Sequence, residues 1–145
     1  MRVTHRVPDA VRRLFGAAPQ SRDPLVAKLE MGPGSAAHHA DKFTDRILFL
    51  DGFPNMQVLD PLRIGQNVKE IIECDLATEV SARNLYQEAA THCHSVKDYV
   101  SRDLFESLMK DEEHHIDFLE TQLDVINRIG LELYTQKHVG GLESE

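Results

Sequence analysis

Long apolar runs are missing from this sequence. None approaches the roughly 20 residues needed to span a bilayer, so no membrane partner is expected. An apolar signal core is missing too: the first residues, MRVTHRVPDAVRRLFG, are basic but hold no continuous hydrophobic stretch of the secretory kind, and a cytoplasmic location is expected. Cysteine is scarce, with two in the chain. Cys74 and Cys93 fall on one predicted helix, roughly 28 Å apart at about 1.5 Å per residue, too far to bridge. An excess of basic residues is also lacking. The net charge of −8 argues against a nucleic-acid partner and suits a soluble chain whose acidic surface attracts cations.

What is present is enough for one compact domain: 145 residues, 41% hydrophobic and 28% charged. Two parts of the chain read differently. Residues 1–37 hold Arg2, Arg6, Arg12, Arg13, Arg22 and Lys28 against Asp9, Asp23 and Glu30, and are broken by Pro8, Gly16, Pro19, Pro24, Gly32, Pro33 and Gly34. Short helices at 8–15 and 23–30 are the most these breakers allow. Two readings stand: a flexible arm, or a segment that packs through Val11, Phe15, Leu25, Val26 and Leu29.

Residues 38–145 are helical in pattern. His39, Phe43, Ile47 and Leu50 recur at helical steps until Gly52 and Pro54. Residues 51–65 then form a long aperiodic connection, long enough to cross a bundle end and let its flanking helices run parallel. The next helix starts at Asn67, with Ile72, Leu76, Glu79, Ala82, Tyr86, Ala89 and Cys93 facing inward. A further one runs from about Asp98 to Ile129 and stops at Gly130, with Leu104, Leu108, Glu112, His115, Leu119, Leu123, Ile126 and Ile129 inward. LELYTQK allows one or two last turns.

Within DEEHHIDFLE this period turns Glu112 and His115 toward the core and leaves Asp111, Glu113 and His114 toward solvent or a neighbouring subunit. The inward pair is E-x-x-H, a carboxylate and an imidazole about one turn apart on one face, the spacing at which both reach one metal ion. Glu79 brings a carboxylate from a second helix and His39 an imidazole from a third. Taken singly, Glu79 reads better as a carboxylate paired with an Arg or Tyr, and His39 as a satisfied core histidine. Taken with E-x-x-H the balance reverses. A buried carboxylate without a partner costs several kcal/mol, and the sequence offers few inward basic groups to neutralise two of them. Oxygen-rich sites containing imidazole suit iron or manganese more than structural zinc. Cys93, well beyond Glu79 on the same helix, reads as a small core residue.

The stretches HHADKFTDRILFLDGFPNMQ, CDLATEVSARNLYQEA, HSVKDYVSRDLFESLMKDEEHHIDFLETQLDVI and LELYTQKHVGG resemble bacterioferritin, from residue 38 to 142 and essentially without gaps. The resemblance implies an all-α, ferritin-like four-helix bundle with a long crossover between its second and third helices and a short fifth helix, assembled as a 24-subunit shell. It also implies ferroxidase activity, with Fe(II) oxidised by dioxygen or peroxide at a di-iron centre inside each subunit and ferric mineral stored in the cavity. Glu79 then matches a terminal carboxylate, Glu112 a bridging carboxylate, and His115 and His39 the two imidazoles.

The departures lie just before His39. Where the family carries E-M-x-H, this chain has Ala36, Ala37, His38 and His39. Ala36 stands for the bridging glutamate and Ala37 for the methionine that ligates haem b, so bis-methionine haem is not expected. Nothing in residues 1–37 resembles the family's first helix. That points to a frameshift, a wrong start or a spliced fragment more than to gradual divergence. The leading expectation is an impaired ferroxidase and iron-storage subunit that keeps a half-site of Glu79, Glu112 and His115, with Glu112 reaching toward a weaker iron at His39. A noncatalytic shell subunit that nucleates iron or co-assembles with an intact partner is the alternative. A rubrerythrin-like peroxidase is disfavoured, since no rubredoxin-type cysteine site is present.

Overall fold

The computed structural model describes residues 35–54 and 65–139. These form four helices: α1 (Ser35–Phe49), α2 (Val68–Ser95), α3 (Tyr99–Ile129) and α4 (Leu131–Val139). Among the described residues there is no strand, and no helix is long and apolar enough to cross a membrane. The readings made for residues 1–34 and 55–64 lie outside the described residues.

The helix ends follow from local chemistry. Asn67 caps α2, its Oδ1 accepting from the Glu70 amide at 3.0 Å, while Glu70 Oε2 reaches back to accept from the Gln66 amide at 2.8 Å. Asp98 caps α3 by accepting from the Ser101 amide at 3.1 Å. At the other end of α3, Gly130 takes φ 85, a left-handed value that its missing side chain permits, and its amide donates to Ile126 O at 2.8 Å. The chain can therefore turn at once into α4.

Side-chain pairs set the directions. Lys69 reaches Asn127, Arg83 reaches Glu113, and Glu79 faces His115, so α2 and α3 are antiparallel. His39 packs edge-on to Tyr86, and Arg46 pairs with Asp98 just beyond the end of α2, so α1 runs parallel to α2. A long connection between those two helices has this geometric result, as the length of residues 51–65 suggested.

The core has two apolar parts. One joins Phe43 and Ile47 of α1 to Tyr86, Ala89, Ala90 and Cys93 of α2 and to Phe105 and Leu108 of α3. The other joins Ile72, Leu119, Ile126 and Tyr134, and contains no residue of α1. Along both α2 and α3 the interval between the two parts holds Glu79, Glu112 and His115. Polar groups thus form a layer across the middle of the core.

The helical periods hold through most of each element and drift at the ends. Leu50 falls in the turn after α1 and is half-buried, and Ile129 is exposed where α3 gives way to Gly130. Phe105 and Ser101 are buried although the α3 stripe passes beside them. This helix faces α1 as well as α2, so its inward arc is wider than one stripe. α1 also begins at Ser35, ahead of the point where its apolar period becomes readable.

Candidate metal centre

Three helices meet at the polar layer. α3 supplies Glu112 and His115, α2 supplies Glu79, and α1 supplies His39. Glu112 is the hub. Its Oε1 lies 3.0 Å from His39 Nδ1, and its Oε2 lies 3.4 Å from His115 Nδ1. The same His115 nitrogen is 3.5 Å from Glu79 Oε2. Glu112 is only 3% exposed and His39 6%, so both depend on these partners.

Glu79, Glu112 and His115 each offer a donor atom within 4.8 Å of the others. Donors about 2.1 Å from a common ion stand up to about 4.2 Å apart, so small side-chain rotations would close the three onto one cation. Two carboxylates and one imidazole suit a hard or borderline divalent ion such as iron. His39 lies outside this closest group. Its ring is held between Glu112 on one side and Asp111 on the other, with Nε2 at 3.3 Å from Asp111 Oδ2. It also lies near-parallel to His115, with ring centroids 6.4 Å apart and planes at 19°.

Burial and mutual hydrogen bonds set the electrostatics of this group. Burial pushes the Glu79 carboxyl up to about 7, against the pull of its hydrogen bond to His115. Hydrogen bonds to Glu112 and then to Glu79 raise His115 to about 10. Burial also disfavours the charge on Glu112, but its bonds to His115, His39 and Glu79 outweigh that and hold it well below the usual carboxylate range. The Tyr86 hydroxyl is pushed up by burial, with Glu112 and Glu79 adding to the effect.

The ferritin-like domain profile matches residues 35–129, most of the chain and all of the metal-capable side chains. The chain belongs to the ferritin-like family. It is 58% identical over 99 residues to the bacterioferritin of Brucella melitensis, covering 68% of this chain and 62% of that one. Against the bacterioferritin of Rhodobacter capsulatus it is 58% identical over 92 residues, covering 63% and 57% respectively. Against that of Mycobacterium avium it is 46% identical over 101 residues, covering 70% and 64%. The chain thus spans less than two thirds of the length of these curated relatives.

In this ferritin-like site the four side chains singled out by periodicity occupy one region. Glu113 and His114 are exposed, as their phase requires, and Glu113 pairs with Arg83 of α2 at 3.0 Å. Asp111 departs from its expected outward placement. Its side chain is 44% exposed, yet its carboxylate reaches across to His39. The phase of α3 alone could not show this, because it does not say that α1 passes on that flank. Cys93 is buried in the core beside Ala89 and Ala90, where burial raises its thiol, in keeping with a packing role.

Proposed function

We propose that this chain is a bacterioferritin-like iron-storage subunit that takes Fe(II) as substrate and oxidises it to Fe(III). The reading rests on one observation: two carboxylates and an imidazole, converging from two antiparallel helices, form a mostly buried group with donor atoms close enough to share one cation. Among the described residues no lysine or arginine pairs with Glu79 or Glu112, so a divalent ion is the natural neutralising partner.

In this reading Glu79, Glu112 and His115 hold the first Fe(II), and Glu112 and His39 offer a weaker place for a second. Dioxygen takes two electrons and two protons to become hydrogen peroxide, so each dioxygen consumes two Fe(II); peroxide can serve as the acceptor instead. The protein's part is to exchange the protons on Glu79 and His115 for the cation and to keep Glu112 ionised between the two histidines. Haem is left out of the proposal, because alanine at position 37 has no donor atom.

Assembly into a shell, either as a homo-oligomer of the 24-subunit kind or mixed with an intact subunit, belongs to the same proposal. Exposed Phe49, Phe53 and Val100 supply apolar surface for subunit contacts; Phe53 is 91% exposed. A second reading, a noncatalytic shell subunit that co-assembles, is favoured by the size of the metal-capable group, which counts three side chains among the described residues. Anaerobic Fe(II) titration followed by stopped-flow mixing with dioxygen separates the two. Oxidation by the purified chain, faster than that of free Fe(II), supports the first; bound but unreactive Fe(II) supports the second.

A further inference from the structure

We propose that residues 23–30 of this chain dock on the half of the α2–α3 pair that α1 leaves uncovered. The inference stands apart from the metal-site reading.

The helix lengths define the uncovered half. α1 has 15 residues against 28 in α2 and 31 in α3. His39 of α1 stands level with Tyr86 of α2 and Glu112 of α3, through its ring contact to one and its ion pair with the other. Ser35 begins α1 four residues earlier, so α1 ends its cover near residue 82 of α2. Residues 68–81 of α2, a length of about 20 Å, and residues 116–129 of α3 opposite them therefore have no part of α1 beside them. This length is not a polar surface. The stripe that carries Tyr86 and Glu79 runs on through Ile72, and although α4 closes the tip with Tyr134, Val68, Leu76 and Leu123 stay only partly buried. An apolar strip of this kind is where a further element packs.

Two features select the occupant. The first is position. Residues 1–34 precede Ser35 directly and join α1 where the uncovered half begins. Lys28 lies seven residues before Ser35, and seven residues span at least about 10 Å even when coiled as a helix, enough to bring it over the middle of the strip. The second is chemistry. Residues 68–81 and 116–129 together hold seven acids against two bases, whereas residues 1–34 hold six bases against three acids. Within DPLVAKLE, residues 23–30, the spacing of Leu25, Val26 and Leu29 would gather them on one side of a short helix, with Lys28 beside them. Such a piece offers apolar side chains to the strip and a cation to its acidic rim. Gly32, Pro33 and Gly34 rule out one continuous helix into α1 and let the chain step from the axis of α1 onto the strip.

The test is zero-length carbodiimide cross-linking of the full chain, prepared as an equal mixture of 14N and 15N protein, with the joined peptides identified by mass spectrometry. Lys28 should join to Glu73, Glu120 or Asp124 on the strip and not to Asp103 or Glu106 at the start of α3. Both halves of each joined pair should carry the same isotope. Leu25→Ser combined with Leu29→Ser leaves Lys28 in place and should abolish these links. It should also speed deuterium exchange at residues 68–76 by about tenfold, the least that losing a buried leucine carries in an opening equilibrium. Links that survive in the double variant, or that reach Asp103 as readily as Glu73, describe a free arm and overturn the proposal. Links of mixed isotope place a second copy's segment on the strip and overturn it as well. So does the absence of any link together with unchanged exchange in the variant.

Discussion

Glu112 Oε2 and His115 Nδ1 lie 3.4 Å apart on one face of α3, and the two residues between them, Glu113 and His114, face outward. One turn of helix therefore separates side chains of the same types into two environments. Glu112→Ala or His115→Ala should reduce Fe(II) oxidation to the rate of the uncatalysed reaction in buffer. Glu113→Ala and His114→Ala should change it less than about twofold, since surface substitutions rarely disturb a site they do not touch. Equal losses in both pairs, measured by stopped-flow absorbance, would mean that the wrong face of α3 carries the chemistry.

Metal affinity should rise steeply with pH. Ligands must shed their protons to bind, and the metal-free site has Glu79 near 7 and His115 near 10. Below pH 7 a cation displaces a proton from each. Between pH 7 and 10 it displaces only the one on His115. The logarithm of zinc affinity plotted against pH should thus have a slope of about 2 below 7 and about 1 above it. Calorimetry in buffers of different ionisation enthalpy counts the released protons directly; a flat profile would refute the protonation pattern.

Arg46 fastens α1 to the start of α3. Its Nε donates to Ser101 Oγ and its Nη2 to Asp98 Oδ1, both at 2.9 Å, with the two charged groups largely shielded from solvent. Arg46→Ala removes two charge-assisted bonds and leaves Asp98 short of a partner, at a cost of about 2 kcal/mol. For a chain of this size that lowers Tm by about 5 °C, and urea denaturation should show the same loss. The Arg102→Ala change, at a half-buried residue paired with the more exposed Asp103 and Glu106, should cost little by comparison.

Asp75 should respond in the opposite sense. Its Oδ2 is buried with no hydrogen-bond partner among the described residues, and burial raises its carboxyl from 3.8 to about 6. A carboxyl raised in the folded state opposes folding once ionised. The penalty is absent below pH 3.8, grows between 3.8 and 6, and is complete above 6. The full linkage value for such a rise is about 3 kcal/mol, which solvent around the half-buried side chain brings down to about 1 kcal/mol. Asp75→Asn should therefore stabilise the chain by about that amount at pH 8 and by almost nothing at pH 4, as read from urea midpoints.

The purified chain should show no bis-methionine haem absorption, because Ala37 provides no thioether where the family resemblance places the haem ligand. A stoichiometric Soret band lost on substituting Met31 would contradict this.

Much of the site was legible because a helix converts sequence spacing into direction. Steps of three and four along α3 put Glu112 and His115 inward with Leu108 and Leu119, and the same logic found Glu79 between Ile72 and Tyr86. Asp111 was not legible. It sits at the edge of the inward arc, and whether an edge residue meets solvent or a neighbour depends on which helix lies there. Phe105 was missed for the same reason, since it packs against Phe43 of α1, with ring centroids 5.3 Å apart. The start of α1 was hidden in another way. Ser35, Ala36 and Ala37 carry no large apolar side chain from which a period could be read.

The polar layer also has a bearing on how the molecule comes apart. Ile72, Leu119, Ile126 and Tyr134 close on one another without help from α1, whereas the other apolar part depends on Phe43 and Ile47. A fluctuation that lifts α1 therefore strips one half of its packing and leaves the α2–α3–α4 hairpin end intact. Backbone amides near Ile72 and Ile126 should outlast those near Phe43 in deuterated buffer. An ion bridging Glu112 and His39 would act as a rivet between the halves, slowing exchange in α1 far more than at the hairpin end.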